Sequence, residues 1–260
     1  MAEETGLPET DGTGERVAEM SFWEHLEELR WRLIKAVIGI AAGGIVAAIF
    51  IDYIMNDFLL SPASKTNPPL VLINLKPYGQ LVLYFEVILV CGVILSIPNL
   101  FYQLWKFIEP GLLPGERRYI SSIVVFSSLC FLIGISFAYF VMLPTALGFF
   151  AEFGTQAITN TIAVDEYFSF VISVMLAAGV VFELPMVSFF LSKLGILTPK
   201  FMRRYRKHAV IIILILAGIL TPSPDITSQL LLGIPLVILY EISIIISKLS
   251  QPKRDNKKAD

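Results

Sequence analysis

The chain has 260 residues, of which 55% are hydrophobic and 16% charged, and its mean hydropathy is +0.72. These values exclude an ordinary soluble domain, in which about 45–50% of residues are apolar and about 25% are charged. The formal net charge of −2 identifies no class of partner until the charges are placed along the chain.

Residues 1–19 are rich in Glu, Gly and Thr and contain no apolar core of the kind found in signal peptides. They predict a disordered acidic tail, because such a composition buries too little apolar surface to fold. A membrane domain is predicted over residues 20–248, followed by a basic cytoplasmic tail over residues 249–260.

The membrane domain is predicted to be all-helical, because its apolar runs are continuous and approach the roughly 20 residues that cross a bilayer as helix. Clusters of Pro, Asn and Gly separate six such runs: 33–54, 79–105, 119–143, 167–192, 209–220 and 227–247. The last two runs are short, and the 13 residues from His208 to Leu220 would cover only about 20 Å. Prolines inside or at the end of four runs predict bends and a curved or concave arrangement: Pro98, Pro144, Pro185 and Pro235.

The positive charges predict how the helices are oriented. If the N-terminus is cytoplasmic, the cytoplasmic segments hold 18 of the 20 Lys and Arg residues, and only Lys65 and Lys76 lie on the opposite side. Cytoplasmic loops of membrane proteins carry such an excess of Lys and Arg. We therefore expect a multi-pass protein of the cytoplasmic (inner) membrane with both termini in the cytoplasm.

The sequence contains no HExxH, no GxSxG, no Walker lysine and no GxGxxG after a strand, which are motifs of soluble enzymes. The two histidines lie 183 positions apart, and both cysteines lie inside apolar runs, where packing is their usual role. We therefore expect no enzyme activity, no metal or other cofactor, and no nucleic-acid partner.

One carboxylate, Glu183 in "AAGVVFELPMV", falls near the middle of a predicted span. An ionisable group at that depth costs several kcal/mol unless it is paired or faces a wet cavity, so it is a functional candidate. The alternative is a protonated glutamate that is hydrogen-bonded to a serine or a freed carbonyl of another helix. Glu86 and Glu241 lie nearer the ends of their helices, where a structural role is favoured.

A cytoplasmic loop presents two further acids, Glu109 and Glu116, in the stretch "FYQLWKFIEPGLLPGERRY". Aromatic residues of the kind found at membrane interfaces precede them. A carboxylate held by rigid Pro and Gly turns suits bidentate pairing with an arginine from outside. Arg117 or Arg118 could neutralise Glu116 instead.

The stretch "MSFWEHLEELRWRLIK" at residues 20–35 predicts an amphipathic helix on the membrane surface. Ser21 and Glu24 have the spacing of a capping box. The apolar stripe consists of Phe22, Leu26, Leu29 and Leu33. Glu28 precedes Arg32 by four residues, a pairing worth about 0.2–0.5 kcal/mol, which leaves the Glu28 carboxylate available to an external cation.

Four motifs resemble those of the TatC family, the multispanning subunit of the twin-arginine protein translocase. They follow the family's order over about residues 20–248: "FWEHLEELRWRL", "YQLWKFIEPGLLPGERR", "GVVFELP" and "LTPSPDITSQ". The resemblance implies a receptor that binds signal peptides bearing paired arginines and passes folded proteins across the membrane, driven by the proton-motive force. It also implies small single-span partners of the TatA and TatB type. Six helices of this length cannot enclose a pore for a folded protein, so we expect oligomerisation or recruitment of partners.

The resemblance implies roles for individual residues. Glu28 and Glu116 would bind the arginine pair, Arg30 would orient Glu28 or balance its charge, and Phe107 would flank the site. Glu183 matches the family's intramembrane glutamate, while other matching positions are Pro62, Asp225 and Gln229. Glu27 beside Glu28 leaves open which acid contacts which arginine.

A second hypothesis is an ion-coupled carrier that uses Glu183, Glu86 and Glu241 as a proton relay. Carriers commonly have two repeated halves, and the sequence shows no corresponding pair of interrupted helices. A membrane-embedded enzyme is less favoured still, since no pair of nucleophile and base is present.

Overall fold

The computed structural model describes residues 22–111, 117, 120–152, 161–220 and 226–250. The predicted acidic tail, all but the first two residues of the basic tail, and the candidate residues Glu116 and Asp225 lie outside this part of the chain. Ser21, the first residue of the predicted capping box, also lies outside it.

The described residues form a helical protein. The longer helices are α1 (Phe22–Ile49), α2 (Gly79–Leu95), α3 (Ile97–Ile108), α4 (Ile120–Phe137), α5 (Leu143–Glu152), α6 (Val164–Val181), α7 (Leu184–Lys193), α8 (Pro199–Arg204), α9 (Arg206–Leu220) and α10 (Ile226–Ser250). Helical turns at Ile51–Tyr53 and Ser61–Ser64 and π-helical segments at Ile54–Leu59 and Ala138–Met142 extend them. Each of the six predicted runs is mostly helical in its described part, with non-helical residues at Phe50, at Ser96 and at Phe182 and Glu183.

The separate surface helix predicted over residues 20–35 is wrong. α1 runs without a break from Phe22 to Ile49, because no proline or turn residue interrupts the chain where the amphipathic stretch meets the apolar run. The predicted apolar stripe is present on this continuous helix, where Leu26, Leu29 and Leu33 expose 40%, 42% and 62% of their surface.

Several helices are apolar enough to cross a membrane. Within the described residues, four helical stretches are also long enough: Trp23–Ile49, Ile120–Glu152, Val164–Lys193 and Gly233–Ser250. A fifth span results if the bent pair of α2 and α3 is counted as one. α9 has 15 residues, fewer than the roughly 20 that a bilayer requires, as the short fifth run predicted.

Three of the four prolines lie at or near irregularities in the helices. The axes of α2 and α3 differ by 56°, and Pro98 lies in the first turn of α3. The π-helical segment Ala138–Met142 ends just before Pro144, and Pro185 opens α7 after a break at Phe182 and Glu183. Pro235 lies inside the uninterrupted helix α10.

Glycines allow α1 to pack closely on α2. A Cβ atom at position 43 would lie 2.6 Å from the carbonyl oxygen of Gly92, and one at position 92 would lie 2.8 Å from the backbone nitrogen of Gly44. Small residues commonly permit such backbone contact between membrane helices. The side-chain amide of Asn99 adds a link to α3 by donating a hydrogen bond to the Lys35 carbonyl at 3.3 Å.

A two-stranded parallel sheet that the sequence did not predict lies at the opposite end from Glu28, which we call the sheet end. It pairs β1 (Val71–Ile73) with β2 (Thr161–Ala163). Lys76, just after β1, forms a 2.6 Å ion pair with Asp165 in the first turn of α6. This partner raises the pKa of the Lys76 ammonium group through a hydrogen bond and charge attraction.

Tyr167 connects α6 to the segment that follows α1. Its ring is 1% exposed, and its hydroxyl donates a 2.7 Å hydrogen bond to the Leu59 carbonyl. Tyr167→Phe is expected to lower the free energy of unfolding by about 1–3 kcal/mol, because a buried carbonyl loses its donor. Thermal unfolding in detergent would measure this. Tyr102→Phe, on a ring that is 42% exposed, is the control and should leave the midpoint unchanged.

Candidate functional site

The Glu28 side chain is held from one side only. It exposes 18% of its surface, and its Oε1 atom accepts hydrogen bonds from Nε of Arg32 at 2.9 Å and from Nη2 of the same residue. The pair that the sequence predicted is therefore formed. Both bonds reach the same oxygen, so Arg32 fixes the carboxylate without using its second oxygen.

The second oxygen of Glu28 has no hydrogen-bond partner. Oε2 is buried, and the Nδ1 atom of His25 lies 3.8 Å away, beyond hydrogen-bonding distance. A buried acceptor without a donor costs about 1–3 kcal/mol, and more when it is charged. The arrangement therefore favours a ligand that brings an N–H donor to Oε2.

An aromatic pair connects this carboxylate to the end of α3. The rings of His25 and Phe107 stack with centroids 4.3 Å apart and an angle of 16° between their planes. His25 lies three residues before Glu28 on α1, so this stack brings Phe107 beside the Glu28 side chain. Asn99 and Gly39 hold the two helices together two to three turns further along.

The other charged residues near Glu28 have different interaction partners. Glu109 forms a 2.6 Å ion pair with Lys106, and the Arg117 guanidinium donates a 3.3 Å hydrogen bond to the Pro110 carbonyl. Arg30 is exposed, with its guanidinium carbon 5.9 Å from the centre of the Trp31 ring. Arg32, rather than Arg30, thus orients the Glu28 carboxylate.

Glu183 lies at the break between α6 and α7. It faces the Ser127 hydroxyl, the Cys130 thiol and the Phe131 backbone of α4. Its Oε1 atom is buried without a hydrogen-bond partner. The break is made of short turns, in which the Glu183 carbonyl accepts bonds from the backbone nitrogens of Met186 and Val187 at 2.9 Å each. The structure thus places an incompletely satisfied carboxyl group between two apolar helices.

The two other glutamates of the apolar runs have different surroundings. Glu86 is exposed on α2, and Glu241 forms a 2.7 Å ion pair with Arg206. Within the described part of the chain, no three His, Cys, Asp or Glu side chains come close enough to share a metal ion.

Pro62 and Gln229 lie away from the Glu28 carboxylate. Pro62 is buried in the helical turn Ser61–Ser64, beyond the far end of α1. The Gln229 side chain donates a 2.8 Å hydrogen bond to the Leu214 carbonyl and so links α10 to α9. Asp225, the residue before α10, lies outside the described residues.

The sequence reasoning missed His25 and Asn99 as parts of the site. His25 had a usable signal, since residues three apart share a face of a helix. Asn99 had none, because its partner carbonyl belongs to Lys35, 64 positions away.

Comparison with known proteins identifies the family. The profile of the family described as "Sec-independent protein translocase protein (TatC)" matches residues 24–235. The TatC protein of Carboxydothermus hydrogenoformans is 40% identical over 234 residues, which cover 90% of this chain and 95% of the relative. The TatC protein of Aquifex aeolicus is 39% identical over 237 residues, with coverage of 90% and 98%.

Solved structures lead to the same family. A crystal structure of the twin-arginine translocase receptor TatC has a TM-score of 0.72 and 39% identity, covering 87% of this chain and 99% of that one. A second structure of this receptor, in the detergent DDM, has a TM-score of 0.74 and 38% identity, with coverage of 86% and 99%. These matches confirm the resemblance carried by the four motifs, and the chain belongs to the TatC family of Sec-independent protein translocase proteins.

Proposed function

We propose that this protein is the signal-peptide receptor and core subunit of a membrane translocase, which binds twin-arginine signal peptides and exports folded proteins using the proton-motive force. Membership of the TatC family supports this function, as does the likeness to crystal structures of a twin-arginine translocase receptor. The observation that carries the proposal is the Glu28 carboxylate, whose buried Oε2 atom lacks a hydrogen-bond partner.

An arginine side chain suits this environment better than a lysine. Its planar guanidinium presents several N–H donors in a fixed fork and stacks on aromatic faces, whereas a lysine ammonium is a strongly hydrated point charge. One guanidinium of the signal peptide would donate to Glu28 Oε2 while lying beside the pair of His25 and Phe107. Because Arg32 already holds Oε1, the Glu28 side chain loses little conformational entropy when the guanidinium binds.

The second arginine of the signal is assigned to Glu116, which the sequence places in the loop that follows α3. Arg30, exposed near Glu28, would balance the charge of the acids once the ligand leaves. Glu27 is exposed and Glu28 is half-buried, which favours Glu28 as the acid in contact with an arginine.

The rest of the proposal concerns the membrane. The protein would lie in the inner membrane with six spans and both termini in the cytoplasm, α9 being a short span within a curved arrangement. Residues 1–19 and 249–260 would be cytoplasmic tails, while Pro62, Asp225 and Gln229 would act on the extracytoplasmic side. Small single-span subunits of the TatA and TatB type and further copies of the chain would complete the translocase.

Glu28→Gln is expected to weaken binding of a twin-arginine signal peptide by about 1.5–3 kcal/mol, or roughly ten- to a hundredfold. The amide keeps the shape of the carboxylate but loses its charge and part of its accepting capacity. The affinity is measured by photo-crosslinking a labelled peptide to the purified protein over a range of peptide concentrations.

Glu27→Gln provides the matched control, because it removes the same charge one position away at an exposed site. Its affinity should stay within about twofold of the wild-type value, since exposed charges contribute little. A peptide with Lys-Lys in place of Arg-Arg should bind the wild type as weakly as the arginine peptide binds Glu28→Gln. Equal yields from Glu28→Gln and the wild type would refute the assignment.

A further inference from the structure

The connection from α7 through α8 to α9 carries a basic surface at the end of the protein opposite the sheet end. Its exposed cations, which together we call the α8 surface, are Lys200, Arg203, Arg204 and Lys207. A further cation in this stretch, Arg206, pairs with Glu241 at 2.7 Å. Among the residues that the structure describes, the four cations of the α8 surface have no ion-pair or hydrogen-bond partner for their side chains. Their charge is therefore available to a ligand.

Packing fixes the side of α8 from which these cations project. Met202 is buried, and its carbonyl accepts a 2.9 Å hydrogen bond from the Tyr240 hydroxyl of α10. Pro199, three positions earlier, is buried as well, so both residues mark the inner face of the helix. The three cations of α8 itself are all exposed and lie on the outer face. The positive charge is thus held outward by the core contacts of α8.

Apolar side chains are exposed among the cations. Ile196 and Phe201 expose 68% and 53% of their surface, and Leu194 and Tyr205 are exposed as well. Ile196 is held in the turn after α7 by a 3.0 Å hydrogen bond from its backbone nitrogen to the Leu191 carbonyl. Large apolar side chains in water are unfavourable. The α8 surface therefore suits a ligand that combines an anionic group with hydrocarbon.

The position of the α8 surface indicates which ligand has both groups. Lys207 lies only two residues before Ala209, where the apolar run of α9 begins. Cations and aromatic side chains at that level meet the head groups of a bilayer, and basic clusters there attract anionic lipids. We propose that the α8 surface binds an anionic phospholipid, with the phosphate at Arg203 and Arg204 and an acyl chain against Ile196 and Phe201.

Two features favour a lipid over other anions. The guanidinium groups of Arg203 and Arg204 can each bind a phosphate through two N–H donors. An acidic peptide or a free phosphate would pair with these cations as well, but neither supplies the hydrocarbon that would cover Ile196 and Phe201. The lipid alone satisfies the charged and the apolar side chains together.

Photo-crosslinking of the full-length protein in phosphatidylcholine nanodiscs tests this proposal. The discs contain a trace of photoactivatable phosphatidylglycerol or, separately, of photoactivatable phosphatidylcholine with the same acyl chains. Phosphatidylglycerol is expected to crosslink to residues 194–208 at least about fivefold more than phosphatidylcholine, since one cation near an anionic surface contributes about a fivefold preference. An excess of glycerol phosphate or polyglutamate, which have charge but no acyl chain, should not compete.

Two matched double variants locate the effect. Arg203→Gln with Arg204→Gln is expected to lower the phosphatidylglycerol yield about fivefold or more, to the level of phosphatidylcholine. Lys35→Gln with Lys248→Gln removes the same charge from exposed positions of α1 and α10, and it should change the yield by less than about twofold. Equal thermal midpoints of the two double variants in detergent verify that both fold.

A third double variant tests the apolar part of the site. Ile196→Ser with Phe201→Ser is expected to lower the yields of both lipids at residues 194–208 by a similar factor, because the acyl contact is lost while the cations remain. The preference for phosphatidylglycerol should therefore persist in this variant. Unchanged yields would show that the apolar side chains hold no acyl chain and would overturn the proposal.

Three further outcomes would also overturn it. The wild type could crosslink equally to the two lipids, or both cation variants could lose yield to the same extent, as a diffuse surface charge predicts. Competition by glycerol phosphate or polyglutamate would identify an anion without hydrocarbon as the ligand. None of these results depends on whether a twin-arginine peptide binds at Glu28, so the two proposals fail separately.

Discussion

Gly134→Ala is expected to lower the free energy of unfolding by about 2–3 kcal/mol, and Gly134→Leu to prevent α4 and α6 from packing. A Cβ atom at position 134 would lie 2.6 Å from the Ala178 carbonyl oxygen and 2.9 Å from the Gly179 Cα atom. Both neighbours are backbone atoms, so a rotamer change cannot relieve the overlap and the helices must separate. Overpacking of this kind typically costs about 1–3 kcal/mol.

Gly148→Ala is the matched control, because the same methyl group meets no atom within 4 Å in α5. Alanine favours a helix over glycine by up to about 1 kcal/mol, so this variant should be as stable as the wild type or slightly more stable. Thermal unfolding of the two variants in the same detergent measures the difference. Equal midpoints would contradict the close approach of α4 and α6.

The helices could be predicted from the sequence because continuous apolar runs leave few alternatives in a bilayer. The two-stranded sheet at the sheet end could not be predicted from the sequence. β1 and β2 have three residues each, too few to show alternation, and they pair across 90 positions of sequence, as Val71 with Thr161. The continuity of α1 was also missed, since an amphipathic stretch before a span is compatible with either a surface helix or an extended span.

The candidate site was predictable only where its contacts are local. The pair of Glu28 and Arg32 follows from a spacing of four residues on one helix, and it is present. The stack of His25 on Phe107 depends on how α1 packs against α3, which Gly39 and Asn99 determine. Such packing between distant segments leaves no periodic signal in a single sequence.

The same distinction applies to Glu183, whose position near the middle of a span was evident from the sequence while its neighbours were not. The structure places it opposite Ser127 and Cys130, more than 50 positions earlier in the chain, with Oε1 unpaired. The close approach at Gly134 holds α4 against α6 at this level, so packing and placement of the carboxyl group are coupled. A purely structural polar group would be expected to have its hydrogen bonds satisfied.

Glu183→Gln is therefore expected to reduce export of a folded twin-arginine cargo at least tenfold in energised membrane vesicles, with peptide crosslinking at Glu28 unchanged. Glutamine keeps the size and polarity of the side chain but cannot ionise, and it replaces one acceptor oxygen by an NH2 donor. Glu86→Gln, at an exposed position of α2, is the matched control and should export normally. If Glu183→Gln exports normally while Glu183→Ala fails, the residue is a polar scaffold. Loss of export in both variants instead shows that transport requires the carboxyl group itself, through its ionisation or through acceptance at both of its oxygens.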